Sequence, residues 1–459
     1  MSHNDETRSN TLSIKEGQLY IEGCSTVELA EKFGTPLFVL SEKHLRQNLR
    51  AYQAAFEAHW PEGEVRIMPA IKANPTIAVR RVLSEEGAGC DVFGPGELEC
   101  ALRGGVNPEM ISVNGSIKDH AIIEKAILLG ARIVLDSPKE LEICNEVGEK
   151  LNKTARVMFR LKPYLHDLGE RSDFLPQQEI RELTQTIKYG IPTSEVLPMG
   201  PRAIELPFVE PVGVHIHMGR HSKKLAVWSQ LIKGYVDLIS QLSARMGGWI
   251  PQEVDFGGGF AAPQDQETRV AVTDYPTPSL GDYARTITTS FRNAMQRHGL
   301  STNGIMIEVE PGRGLHNETM IHLTQVHNIK QESINLDHRW AEVDTSEVFL
   351  GIMGVNPTPP FDYVVANKAY RPRNHRFDIV GMTCNAEWLY QQVPVPELEA
   401  GDIIAMLNTG AYIEPMAANF NALPRPGMVL VNGDQADMIK RHETLDDVFA
   451  RHVVPERLR

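Results

Sequence analysis

The sequence predicts an α/β chain: a (β/α)8 barrel of the TIM type, then a mostly β C-terminal domain that the N-terminal segment completes. Three observations carry the prediction. Short apolar β-like runs alternate with helical stretches from Val65 to Val309. Past Leu315 the alternating runs continue without long helices between them, and prolines become frequent. Residues suited to chemistry stand where β-like runs end, which is where barrels of this type keep their reactive groups.

In chain order, Ser25 to Phe33 has helical spacing, Gly34-Thr35-Pro36 breaks it, and Leu37 to Leu40 reads as a strand. Glu42 to His59 reads as a long helix with Ser41 as its N-cap. The β-like runs of the barrel are Val65 to Ile71, Gly89 to Phe93, Met110 to Val113, Arg132 to Leu135, Arg156 to Leu161, Val212 to Met218, Glu253 to Phe256 and Gly304 to Val309. Helical stretches between them include Thr76 to Glu85, Pro95 to Arg103, Asp119 to Leu129, Pro138 to Leu151 and Lys224 to Met246. Eight such units within about 250 residues match the size of one barrel. Tyr164 to Val209 is too long for an ordinary connection and reads as an insertion over the barrel mouth. Beyond the barrel, Met320 to His327, Ile379 to Met382 and Ile403 to Met406 read as strands. The expected boundaries are therefore 1–40 for the N-terminal segment, 41–315 for the barrel and 316–459 for the β domain.

Composition narrows the function. With 42% apolar and 23% charged residues among 459, the chain is globular rather than disordered. Its 59 acidic against 46 basic residues give a net charge of −13, which argues against a nucleic-acid partner. The five cysteines, Cys24, Cys90, Cys100, Cys144 and Cys384, form no CxxC pair, so neither structural zinc nor a disulfide framework is expected. No apolar run approaches the ~20 residues of a membrane span. The start of the chain lacks a basic stretch followed by an apolar one, so the default expectation is a cytoplasmic protein.

Four strand ends carry candidate chemistry. Lys72, in Ala70-Ile-Lys-Ala-Asn-Pro75, suits a Schiff-base amine if desolvation lowers its pKa; the plain alternative is a lysine snorkelling from a strand end. Gly257, Gly258 and Gly259, in Asp255-Phe-Gly-Gly-Gly-Phe260, let backbone N–H groups approach an anion, and a phosphate is favoured over a bare tight turn. Glu310 and Arg313, in Glu308-Val-Glu-Pro-Gly-Arg313, could hold a protonated ring nitrogen and an anionic oxygen, or simply pair with each other. His215 and His217 stand two apart on one strand face. No carboxylate spacing completes a metal site there, so a ring-stacking or proton-transfer role is favoured over zinc, against a background of core histidines.

Together and in order, these motifs resemble the pyridoxal-phosphate-dependent amino-acid decarboxylases of the alanine-racemase-like fold, most of all the diaminopimelate decarboxylases. The resemblance begins at Leu29-Ala-Glu-Lys-Phe-Gly-Thr-Pro-Leu-Phe-Val39 and runs through Gly89-Cys-Asp-Val92, Gly96-Glu-Leu98, Val134-Leu-Asp-Ser137 and Lys188-Tyr-Gly-Ile191. It continues past the barrel at Thr383-Cys384 and Gly410-Ala-Tyr412. It implies that Lys72 carries pyridoxal phosphate as an internal aldimine and that His217 stacks on the pyridine face. Gly257, Gly258, Gly259, Arg313 and Tyr412 would hold the phosphate, and Glu310 would face the ring nitrogen. Cys384 would cross into the partner subunit's site and protonate the quinonoid carbon, which makes the expected assembly a homodimer with shared sites. An acid at the ring nitrogen strengthens the cofactor as an electron sink and favours decarboxylation over racemisation.

Three departures from the diaminopimelate pattern bear on the substrate. Asn385 follows the motif cysteine where those enzymes have a glutamate for the distal amine, and an amide brings no full charge. The stretch Asn356-Pro-Thr-Pro-Pro-Phe-Asp-Tyr363 lacks their carboxylate-binding arginine and is closer to an ornithine-decarboxylase pattern, with Asp362 as a recogniser of a basic side chain. Arg220 stands where the family has serine. The expectation is thus a decarboxylase of a lysine- or ornithine-like amino acid, with meso-diaminopimelate decarboxylation, or an amino-acid racemase or epimerase on the same scaffold, as alternatives.

Overall fold

The computed structural model describes residues 11–163, 188–217, 221–265, 276–334, 336–352 and 361–459. Arg220 and the start of the Asn356–Tyr363 stretch lie outside the described residues. The chain divides into two units, Gln47–Leu315 and Met1–Arg46 with His316–Arg459.

Gln47–Leu315 is a ring of eight parallel strands: Val65–Ile67, Cys90–Val92, Ile111–Val113, Arg132–Leu135, Ala155–Arg160, Val209–His215, Glu253–Asp255 and Met306–Val309. From the second onward each pairs with the next, and the eighth pairs with the first. Between the first and second strands, Gly89 N–H donates to the Ile67 carbonyl at 3.1 Å, and Ala70 and Asp91 form a parallel bridge. Most strand residues are buried on both faces, so the strands read as continuous apolar runs rather than alternating ones. Helices return the chain between strands, and their starts are set by side-chain caps. Asp119 caps His120–Leu129, Ser137 caps Pro138–Leu151, and Ser279 with Asp282 forms a capping box on Leu280–Arg297. Inside the barrel, the fully buried Arg132 bonds Glu308 and, at 3.1 Å, Glu253, whose other oxygen takes Arg156 at 2.5 Å.

Two strands end three or more residues before the sequence suggests. Val65 to Ile71 is laddered only to Ile67, and Lys72 lies in a following 3-10 turn, Ile71–Ala73. The strand at the histidine pair ends at His215, so His217 stands beyond it. The stretch read as an insertion holds a helix, Thr193–Glu205, with Pro198 and Pro201 inside it.

The other unit is mostly β. Its long sheet runs in the order Trp388–Val395, His375–Val380, His338–Val343, Met320–Glu332, Leu37–Ser41, Gly427–Asn432 and Gln435–Lys440. The N-terminal strand Leu37–Ser41 sits inside this sheet, antiparallel to Met320–Glu332 and parallel to Gly427–Asn432. Tyr363–Val365 joins through Ile403–Met406. A three-stranded meander, Leu12–Lys15, Gln18–Ile21 and Cys24–Ser25, and the helix Thr26–Phe33 pack Leu19, Ile21 and Leu29 into a core with Val39, Leu323 and Val429. Among the described residues, no helix is long and apolar enough to cross a membrane.

Candidate active site

The barrel mouth gathers polar groups from successive strand ends. Lys72 is held between the buried Ile71 and Ala73, with its own side chain one-third exposed, and its ammonium pairs with the buried carboxylate of Asp91. Asn114, at the end of the next strand, is also buried, and its Nδ2 donates to Asp91 Oδ1 at 2.6 Å and to Glu310 Oε1 at 3.0 Å. The other oxygen of Glu310 lies 3.3 Å from His215 Nε2. A hydrogen-bonded line thus connects Lys72, Asp91, Asn114, Glu310 and His215.

Burial and neighbouring charge set the protonation of this line. Burial pushes the His215 imidazole well down, with the Arg160 guanidinium adding to it, so the ring is neutral. Burial and then the negative Glu310 and Glu308 push the Asp255 carboxyl well up. Burial also raises Glu310, but the cations of Lys72 and Arg160 pull it back toward the anion, as does a hydrogen bond with Asp255. The two carboxyls thus titrate together, both raised by burial and Asp255 the more strongly. His215, Asp255 and Glu310 bring ligand atoms within 4.8 Å of one another, so two carboxylates remote in sequence do stand at metal-ligand spacing from this histidine.

The glycine run is pressed against this cluster. Gly257 has φ +61° and Gly259 φ +113°, left-handed backbone that favours glycine. The Glu310 N–H donates to the Gly257 carbonyl at 2.9 Å, and Gly257 N–H donates to Asp255 Oδ1 at 2.7 Å. A side chain at Gly258 would place Cβ 3.0 Å from the Glu310 carbonyl and 3.2 Å from His217 Nε2. Arg313, which opens the short helix Arg313–His316, has its Nε 3.3 Å from Asp265 Oδ1. The alternative of a Glu310–Arg313 ion pair is therefore not what forms: Glu310 is bonded to Asn114 and His215.

The remaining candidates lie in the β unit. Cys384 is exposed, whereas the other four cysteines are buried. Its amide donates to Asn421 Oδ1 at 3.1 Å, and Asn421 Nδ2 reaches its sulfur at 3.4 Å. The loop that carries it is fixed by the buried Glu387, which accepts from Thr383 N–H, Thr383 Oγ1, Ser346 Oγ and Glu347 N–H at 2.8–2.9 Å. Asn385 Nδ2 donates to Glu347 Oε1 at 3.1 Å. Asp362 accepts Asn408 Nδ2 at 3.3 Å, and its carbonyl takes the Leu407 N–H at 2.7 Å. Tyr412 has φ +62°, a strained position for a residue with a side chain, and a Cβ on Gly410 would meet the His316 carbonyl at 1.8 Å.

The structure thus brings Lys72, His217, Gly257, Gly258, Gly259 and Glu310 into the barrel mouth, with Arg313 beside Asp265. It places Cys384, Asn385, Asp362 and Tyr412 in the β unit. Sequence reasoning gave no role to Asp91, Asn114, Arg160, Asp255 or Glu347. The first four are buried polar residues at strand ends, a signal that was available.

Residues 42–317 match the family model described as pyridoxal-dependent decarboxylase, pyridoxal binding domain. The chain is 30% identical to diaminopimelate decarboxylase of Methanothermobacter thermautotrophicus, over 96% of this chain and 97% of that protein. It is likewise 30% identical to diaminopimelate decarboxylase of Archaeoglobus fulgidus, over 97% and 99%. The crystal structure of diaminopimelate decarboxylase from M. jannaschii in complex with L-lysine superposes with a TM-score of 0.86 at 28% identity, covering 98% of this chain and 99% of that one. Lysine/ornithine decarboxylase of Vibrio vulnificus, crystallised with putrescine, shares the fold with a TM-score of 0.69 at 21% identity over 89% of this chain and 98% of that one. The chain belongs to the pyridoxal-dependent decarboxylase family.

Proposed function

We propose that the chain removes CO2 from a basic amino acid with pyridoxal phosphate held at Lys72. The observation that carries the reading is the line from the Lys72 amine through Asp91 and Asn114 to Glu310, beside a glycine run shaped for backbone approach. The residues fit the cofactor's three chemical handles. An amine one-third exposed suits an aldehyde, a buried carboxylate held by an amide suits a ring nitrogen, and left-handed glycines suit a phosphate. Asn114 Oδ1 and His215 Nδ1 are buried without a hydrogen-bond partner among the described residues, which marks a polar site still open to one.

When bound, pyridoxal phosphate serves as the electron sink for the carbanion that loss of CO2 leaves. The chain's own residues do the rest. Asp91 holds the Lys72 ammonium and can take or return the proton at Nζ as the amine is used and released. Glu310, held by Asn114 Nδ2, would sit at the ring nitrogen and favour its protonated form. His217 would hold the ring, and Gly257, Gly258, Gly259, Arg313 and Tyr412 would hold the phosphate. Cys384, supplied by the partner in a homodimer, delivers a proton to the substrate carbon, with Lys72 as the other donor. Asp362 and Asn385 meet the substrate side chain.

A second reading, decarboxylation of meso-diaminopimelate, is favoured by the names of the whole-length relatives. Purified protein loaded with pyridoxal phosphate should show a visible absorbance band that Lys72→Ala abolishes together with CO2 release. Both enantiomers of lysine, ornithine, arginine and glutamate, with meso-diaminopimelate, form the panel. Release from lysine or ornithine supports the main reading, and release from diaminopimelate alone the second. A Lys72→Ala protein with undiminished turnover refutes the assignment of Lys72.

A further inference from the structure

We infer that Glu347 is the specificity-determining carboxylate that selects a substrate bearing a distal ammonium group. The inference rests on the decarboxylase reading above, in which the face of the β unit around Cys384 meets the substrate. Sequence comparison left that face short of charge, because Asn385 is neutral. The structure restores a charge from a different element: Glu347 follows the strand His338–Val343 and lies against Asn385, with 3.1 Å between Oε1 and Nδ2.

Three features set this carboxylate apart. It is rigidly placed, because its N–H is bound by Glu387 at 2.9 Å and it stands between the buried Ser346 and Val348. Glu387 also fixes the Thr383–Cys384–Asn385 turn, so one buried acid aligns the thiol, the amide and Glu347 together. Finally, Glu347 is half-buried and has no cationic partner among the described residues. Comparable acids of the same unit are paired: Asp402 with Lys368 at 2.8 Å, Asp378 with His338 at 2.8 Å, Glu414 with Lys440 and Glu443 with Arg425. Partial burial of a carboxylate costs free energy unless a cation or several donors compensate. Asn385 supplies one donor, and a primary ammonium from the ligand would supply the charge.

The test uses the cofactor-loaded full chain and the basic amino acid that the wild type turns over, with norleucine as a competitive inhibitor that lacks the distal ammonium. Glu347→Gln keeps the carbonyl oxygen that Asn385 binds and removes only the charge. The expected result is a rise in KM for the basic substrate of about 10- to 100-fold, the range for a hydrogen bond to a charged partner, with kcat within about threefold and the norleucine Ki unchanged. Asn385→Ala should raise KM less, since it loosens the carboxylate without removing it. An unchanged KM in Glu347→Gln, or an equal loss for norleucine, overturns the inference. So does a KM effect confined to Asp362→Asn. An unchanged cofactor band and thermal midpoint show that the variant is folded and loaded. If the wild type itself takes up no cofactor or releases no CO2, the decarboxylase reading falls and this inference with it.

Discussion

Replacing Asn114 with leucine tests what the amide does at the barrel mouth, because leucine keeps the same heavy-atom count and branching, is somewhat larger, and leaves no cavity. Asn114 is 3% exposed, and its Nδ2 serves Asp91 at 2.6 Å and Glu310 at 3.0 Å. Hydrogen bonds to charged groups contribute about 1.5–3 kcal/mol each, so losing both should destabilise the cofactor-free protein by about 3–6 kcal/mol at neutral pH. Proton uptake limits that loss and fixes its pH dependence. Burial already raises the Glu310 carboxyl in the folded state, and loss of a donor raises it further. An acid whose folded pKa lies above its unfolded value, about 4.3 for Glu, penalises folding above that value, and the penalty grows until the folded pKa is passed. The deficit of Asn114→Leu should therefore be largest near pH 8 and shrink toward pH 5. Urea unfolding of wild type and variant at the two pH values measures it. A deficit below about 1 kcal/mol, or one equal at both pH values, would mean that the amide is not what holds the Glu310 and Asp91 carboxyls side by side.

The other consequences are more local. Arg132→Met should cost about 3–5 kcal/mol in urea unfolding, because it leaves the buried Glu308 and Glu253 without their shared cation and only Arg156 to compensate. Gly258→Ala should weaken pyridoxal phosphate uptake at least about tenfold while shifting the thermal midpoint only slightly, since its Cβ would crowd His217 Nε2 at 3.2 Å and the Glu310 carbonyl at 3.0 Å rather than the core. Equilibrium dialysis with the cofactor reads the first effect and thermal unfolding the second.

The alternation of strand and helix was legible because parallel strands buried on both faces leave unbroken apolar runs, while the helices between them keep polar faces. The strand ends were not. Met68, Ala70 and Ile71 are as buried as Val65 and Ile67, yet the strand stops at Ile67. A barrel mouth buries the first turn of its loops as well as its strands, so hydrophobicity alone cannot mark the boundary. The helix Thr193–Glu205 was hidden by its two internal prolines. Leu280–Arg297 was not read from the sequence either, although Ser279 and Asp282, three apart ahead of it, form a capping box.

The polar line at the mouth was partly legible, in a way that local motifs miss. Lys72, the glycine run, Glu310 and Arg313 stand out as short patterns. Asn114 does not, because its partner Glu310 is 196 residues away and nothing local requires an amide there. Its signal lies in a count across strands. The second to eighth barrel strands carry or are followed within a residue by Asp91, Asn114, Asp136, Arg160, His215, Asp255 and Glu310. A buried polar group costs about 1–3 kcal/mol or more when it is left unpaired, so seven at one end of a ring can be tolerated only by satisfying one another or a ligand. Parallel closure brings those ends to one rim, and the pairs Asp91–Asn114, Asn114–Glu310, His215–Glu310 and Arg160–Asp136 follow from that geometry. Glu347 escapes even this argument. It lies outside the barrel, and only the fold of the β unit sets it beside Asn385, 38 residues further on.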